Sequence, residues 1–198
     1  MPDKTMPNKT IPDETMSNKT WPYGTVFSLD GVTPQIADDA FIAPTAAIIG
    51  DVVIGSETGV WFHCLVRGDM NSICIGARTN IQDGSVIHID SGEFSTFIGD
   101  DVTVGHNAVI HACTLKNRAF VGISATVLDG AVIEEGGMLA AGGLLTPGKV
   151  IGPNELWTGS PAKLRRVMEP EERARFDRNA LVYRELAKKF RAGLKVVG

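Results

Sequence analysis

The chain is 198 residues long, 43% hydrophobic, and carries a formal net charge of −4. That length suits a single domain, the acidic balance gives no reason to expect nucleic acid, and no apolar run reaches the roughly 18 residues a membrane span needs. The three cysteines (Cys64, Cys74, Cys113) are odd in number and lack CxxC spacing, which reads as reduced thiols in a cytoplasmic protein.

Residues 1–25 form five pentapeptides, MPDKT, MPNKT, IPDET, MSNKT and WPYGT. Recurrent Pro, Lys, Asp and Thr offer little apolar surface to bury, so this tail is expected to be disordered. It lacks the apolar stretch of a signal peptide, and its acids and absent Arg argue against a transit peptide.

Residues 26–163 carry a ladder. Stepping mostly by six from Ile36 meets Ile42, Ile48, Ile54, Val60 and Val66, then, after a three-residue insertion, Ile75, Ile81 and Ile87. A longer interruption leads to Ile98, Val104 and Ile110; one short step reaches Leu115, and sixes resume at Val121, Val127, Ile133, Leu139, Leu145, Ile151 and Trp157. No helix has this period, whereas a strand of about four residues with a corner of about two does, so the ladder predicts an all-β solenoid. Two residues before each rung stand small or β-branched side chains, among them Ala46, Val52, Thr58, Cys64, Ser85, Val102, Ala108, Ala125 and Ala131. Rung and small residue together fill a narrow triangular prism whose units bury their apolar residues only by stacking. Hexapeptides of this kind resemble the left-handed parallel β-helix family, and the handedness is taken from that resemblance.

Residues 164–198 predict a C-terminal α-helix. Glu169-Pro170-Glu171-Glu172 suits a first turn, and Phe176, Ala180, Tyr183, Ala187, Phe190 and Leu194 make an apolar stripe. Arg175, Arg178, Arg184, Lys188, Lys189 and Arg191 read as a solvated face. The helix is expected to pack along the prism or against a neighbouring subunit.

Four histidines occur. His63 reads as polar decoration. His88 and His111 each follow a rung, Ile87 and Ile110, and so point outward. Those rungs are 23 residues apart, one coil of about 18 residues plus five that a loop over Ser91–Phe97 can hold. The two histidines then neighbour each other across about 4.8 Å of sheet, close enough to share a metal ion. Arg67 extends this column. His106 lies roughly 16 Å of extended chain from His111, so it would meet the pair only from a neighbouring copy, in a three-fold trimer. Three histidines with an open position is the pattern of a catalytic zinc. Asp83 and His106 stack beside this column, so that Arg67, Asp69, Gln82, Asp83 and the histidines occupy two adjacent faces. The plainer reading of the same cluster is a trimer interface held by Arg–Asp pairs; both can hold together.

At these residues the chain resembles the gamma-class carbonic anhydrases, through Val66-Arg67-Gly68-Asp69, Asn80-Ile81-Gln82-Asp83-Gly84, Val86-Ile87-His88 and Val104-Gly105-His106-Asn107 running to Ile110-His111. The resemblance spans about Phe41 to Lys163 and implies a homotrimer with zinc at each interface, Fe(II) and Co being alternatives. It implies His88 and His111 as ligands from one subunit and His106 from the next, and reversible hydration of CO2 to bicarbonate by metal-bound hydroxide. Gln82 would orient hydroxide or substrate, Arg67 and Asp69 would join the catalytic surroundings, and Arg67, Asp69 and Asp83 would form the interface network. Two departures accompany it: Met70 stands where active members carry an acid, and the loop 89–97 is short, with Asp90 and Glu93 as its acids. Other readings are a hexapeptide acyltransferase or thioesterase acting on CoA esters, for which Gly159-Ser160-Pro161-Ala162-Lys163 is also common, or a catalytically weak trimeric scaffold.

Overall fold

The computed structural model of the chain describes residues 25–195 and 197. The disorder expected of the pentapeptide segment therefore falls outside the described residues, except that Thr25 opens the first strand, Thr25–Phe27. The ladder winds into a left-handed parallel β-helix of about seven coils. Every rung except Trp157 is buried, and so are all nine of the small residues named above.

Three faces result. The first stacks the leading halves of Ala47–Ile54 and Leu65–Ile75, then Val86–His88, Val109–His111, Thr126–Val127 and Leu144–Leu145. The second stacks Gln35–Ile36, the trailing halves of the same two long strands, then Thr96–Ile98, Thr114–Leu115, Val132–Ile133 and Val150–Ile151. The third runs from Phe41–Ile42 through Gly59–Val60, Asn80–Ile81, Thr103–Val104, Phe120–Val121 and Met138–Leu139 to Glu155–Gly159. Because two strands turn a corner unbroken, the first two faces form one twelve-stranded sheet. Its top carries a rung the six-residue count passes over, since Val26 pairs with Ile48. At the other end the last pairing is antiparallel, between Glu155–Gly159 and Ala162–Val167, so the sequence boundary at Lys163 falls inside a strand.

Both interruptions of the ladder serve the outer surface. Ile48 pairs with Val66 but Ile54 with Ile75, so the three extra residues lie between them, where the register shifts. They form a bulge at Gly68–Ser72, and a Cβ on Gly68 would stand 2.4 Å from the Asp51 carbonyl oxygen, which is why this position is glycine. The five extra residues before Ile98 form the loop after His88; pairing resumes in step at Ile75 with Ile98 and Ile87 with Ile110.

The helix, Pro170–Gly193, begins with Pro and the acids Glu171 and Glu172 in its first turn. Its stripe lies on the third face of its own prism. Phe176 meets Phe120 with ring centroids 5.2 Å apart, Tyr183 meets Trp61 at 5.4 Å, and Phe190 meets Trp61 at 5.2 Å and Phe41 at 5.9 Å. Its basic side is less solvated than the pattern predicts: Arg184 and Lys188 reach Glu57 at 3.7 and 2.9 Å. Arg173, outside both groups, is buried and donates to the carbonyls of Gly136 and Arg118 at 3.2 and 2.7 Å while pairing with Asp177.

Candidate metal centre

His88 and His111 lie in direct register on adjacent coils of the first face. Their ring centroids are 5.2 Å apart and the rings are tilted by 54°. Arg67 continues the column, because Val66 is in register with Ile87. It pairs with Asp69 on the bulge, and Asp69 Oδ1 lies 3.0 Å from His88 Nε2. Desolvation opposes ionisation of Asp69, but the hydrogen bond with His88 and the charge of Arg67 together hold its carboxyl below the ordinary carboxylate range. The bulge is itself tied to the loop after His88: Ser95 donates to Asn71 Oδ1 at 2.6 Å, and the Ser72 and Ser95 hydroxyls are 3.1 Å apart.

A second group gathers at the corner between the third and first faces. Thr103 and Val104 pair with Asn80 and Ile81, which sets His106 beside Asp83, and His106 Nδ1 is 3.0 Å from Asp83 Oδ2. Asp83 Oδ1 accepts from the Phe62 N–H at 3.2 Å. The Tyr183 hydroxyl, on the helix, is 3.4 Å from His106 Nε2; burial, then the charge of Asp83, pushes its pKa up, so it stays protonated. Gln82 is buried under the helix, its amide donating to Asn80 Oδ1 at 3.1 Å and Asn179 Oδ1 at 3.5 Å. Gly84 closes the turn at φ 75°, and a Cβ there would stand 2.2 Å from Asn107 Oδ1, which ties the Asn80–Gly84 string to the His106–Asn107 string.

The chain therefore brings Arg67, Asp69, His88 and His111 together on one face, and Gln82, Asp83 and His106 at its edge. Among the described residues no three His, Cys, Asp or Glu side chains converge within one chain to hold an ion. His63 is exposed at a corner with φ 60°. The three cysteines form no disulfide; burial pushes Cys64 up to about 12 and Cys113 higher still, so neither supplies a thiolate ligand at neutral pH.

The donor set suits a divalent ion. A carboxylate sits on Nδ1 of both His106 and His111, the latter from Asp129 Oδ1 at 2.7 Å. A ring proton held on Nδ1 leaves the Nε2 lone pair to face a metal, which is the usual orienting arrangement behind histidine ligands; on His106 that lone pair faces the Tyr183 hydroxyl, which an ion would displace. His88 differs, since its Nε2 faces Asp69; ligation through that atom requires Asp69 to turn towards Arg67, its existing partner. Imidazoles suit zinc, and also iron.

No family model matches the chain. Individual relatives do. A carbonic anhydrase of Geobacillus kaustophilus is 46% identical over 167 residues, covering 84% of this chain and 91% of its own. The chain belongs to the gamma-class carbonic anhydrase family. Gamma carbonic anhydrase 2, mitochondrial, of Arabidopsis thaliana is 43% identical over 168 residues, 82% of this chain and 60% of that one, so the chain spans about three fifths of this relative's length. Among solved structures, a hexapeptide transferase family protein from Anaplasma phagocytophilum superposes with TM-score 0.80 at 46% identity, covering 84% of this chain and 98% of its own. A structure from Bacillus cereus titled a putative acetyltransferase gives 0.84 at 37% identity over 85% and 98%.

Two polar partners of the histidines escape a reading by rungs. Tyr183 sits within the apolar stripe, and only the docking of the helix shows its hydroxyl facing His106. Asp129 left a clearer trace: it lies one coil of 18 residues beyond His111, although the short step to Leu115 moves it past the in-register position.

Proposed function

We propose that this chain is a metal-dependent carbonic anhydrase that hydrates CO2 reversibly to bicarbonate at the interfaces of a homotrimer, with zinc as the metal and Fe(II) or Co as alternatives. The observation that carries the reading is the in-register pair His88 and His111, with rings 5.2 Å apart on an outer face. Support for assembly comes from that same face, where Ile49, Leu65, Val86, Val109, Leu128 and Leu144 point outward and stay partly exposed, and where, among the described residues, no element packs over them as the helix does over the third face. A neighbouring copy docked there contributes His106 of the partner subunit to complete three histidines.

Lewis acidity from an ion held by these histidines brings the pKa of water down towards neutrality. The chain's own residues set the surroundings. Arg67, half-exposed beside His88, presents a cation suited to a bicarbonate oxygen, and Asp69 steadies it through their ion pair. Asp83 and Asp129 hold the rings of His106 and His111. Gln82, buried under the helix with its amide nitrogen donating to Asn80 and Asn179, is the residue assigned to orient substrate or hydroxide, which requires its side chain to turn out from that seat. Protons must leave past Met70, which is 59% exposed where an acid would act as relay, so proton export by buffer is the expected slow step.

The test is metal content of the purified assembly with a CO2 hydration assay, comparing zinc-loaded and anaerobically iron-loaded protein. His106→Ala should reduce metal to near zero and leave the β-helix folded, because no rung involves it. Full zinc occupancy in that variant would sink the shared site. A second reading, acyl transfer from CoA esters, rests on the transferase titles of the two similar structures; metal-independent turnover of acetyl-CoA without CO2 hydration would favour it.

A further inference from the structure

We infer that Asp129 is the positioning residue for His111, fixing which ring nitrogen faces the metal. The inference rests on the metal-centre reading above and adds a group from a coil beyond both histidines of the pair. Asp129 Oδ1 lies 2.7 Å from His111 Nδ1, the shortest of the three histidine–carboxylate contacts, against 3.0 Å for both His88 with Asp69 and His106 with Asp83.

The backbone prepares that contact. Val127 pairs with Ile110, so the in-register neighbour of His111 is Leu128, and Asp129 stands one residue further, at the corner. The five-residue step from Ile110 to Leu115 tightens this corner, with Ala112 at φ 47°. The Gly130 N–H donates to the Ala112 carbonyl at 2.8 Å, tying the residue after Asp129 to the residue after His111. Phe94 of the loop after His88 lies over the same corner: a Cβ on Gly130 would stand 3.2 Å from its ring. The carboxylate is thus held at both flanks, and it approaches a ring atom that Asp69 does not approach on His88.

A carboxylate can only accept, so it keeps the proton of neutral His111 on Nδ1 and leaves Nε2 as the donor atom for an ion. An isosteric amide removes the charge and can itself donate, which permits the opposite tautomer.

The decisive experiment combines zinc affinity by chelator competition with nitrogen-15 NMR of the His111 ring in the metal-free protein, for wild type, Asp129→Asn, Asp129→Ala and, as a distant control, Asp101→Asn. Asp129→Asn should weaken zinc binding by about 10–100-fold and shift the His111 proton towards Nε2, with unchanged thermal melting. The control should match wild type in both. If Asp129→Ala fails to fold, the isosteric variant still carries the test. Zinc affinity equal to wild type with the proton still on Nδ1 overturns the inference. Weaker zinc with the proton still on Nδ1 overturns it too, because Asp129 would then act by charge alone. If wild type takes up no zinc, the metal-centre reading fails by itself, and the tautomer comparison still decides the role of Asp129.

Discussion

The first and third faces of the prism are written in the same hexapeptide, yet among the described residues the helix covers the third and not the first. On the third face Phe41, Trp61 and Phe120 meet Tyr183, Phe190 and Phe176 of the helix. On the first face Leu65, Val86, Val109 and Leu144 remain half-exposed around His88 and His111. The inward residues of the two faces are interchangeable rungs, so the difference lies wholly in what points outward. Large aromatics on one face specify a partner within the chain. Smaller aliphatics flanking two imidazoles suit a flat, repeated contact with another copy, and leave room for a shared ion.

Substitutions can break this contrast from either side. The largest effect is expected on the first face: Val109→Asp places a charge beside His111 in the proposed contact, where three-fold symmetry repeats it. Light scattering should then show monomer in place of trimer, with the β-sheet circular dichroism retained. An unchanged assembly state would move the interface elsewhere. On the third face, Trp61→Ala should cost about 3–5 kcal/mol in urea unfolding, since the indole is 3% exposed and touches Phe41, Tyr183 and Phe190. Its assembly state should not change; dissociation of this variant would show that the two faces are not independent.

Smaller effects sharpen the chemistry. If buffer carries protons out of the site, wild-type CO2 hydration should depend strongly on imidazole concentration. Met70→Glu should raise the rate at low buffer, by up to the 10²–10⁴-fold typical of positioned proton transfer, and less at high buffer. Wild-type turnover that ignores buffer would refute the premise. The smallest effect concerns the thiols. Burial pushes the Cys64 pKa up to about 12 and Cys113 higher, so their thiolates stay scarce as pH rises from 7 to 9. A thiol reagent should then label Cys74 alone in the folded protein over that range, and all three cysteines only on unfolding.

Much of this protein was legible in residue order because a solenoid is a local code. Each rung needs only its own small residue and its neighbours one coil away, so the ladder and its two insertions were enough to set Ile87 on Ile110 and His88 on His111. The same counting placed Asp83 beside His106. The limits of that counting lie where contacts are not spaced by coils. Val26 became a rung because the turn closed between Leu29 and Val32 brings it onto Ile48, a ten-residue step that no hexapeptide announces. Helix periodicity named a stripe but not its target; the choice of the third face followed from aromatic side chains fitting Trp61, and only then did Tyr183 reach His106. Arg173, a charge that composition assigns to solvent, is buried because the carbonyls of Arg118 and Gly136 and the carboxylate of Asp177 satisfy its guanidinium. Periodicity thus determined the prism and the pairing of its histidines by repeating one short-range contact, whereas the helix seat and the hydrogen-bond partners of the site depended on side-chain fit between residues far apart in the chain, such as Phe190 with Phe41 and Tyr183 with His106.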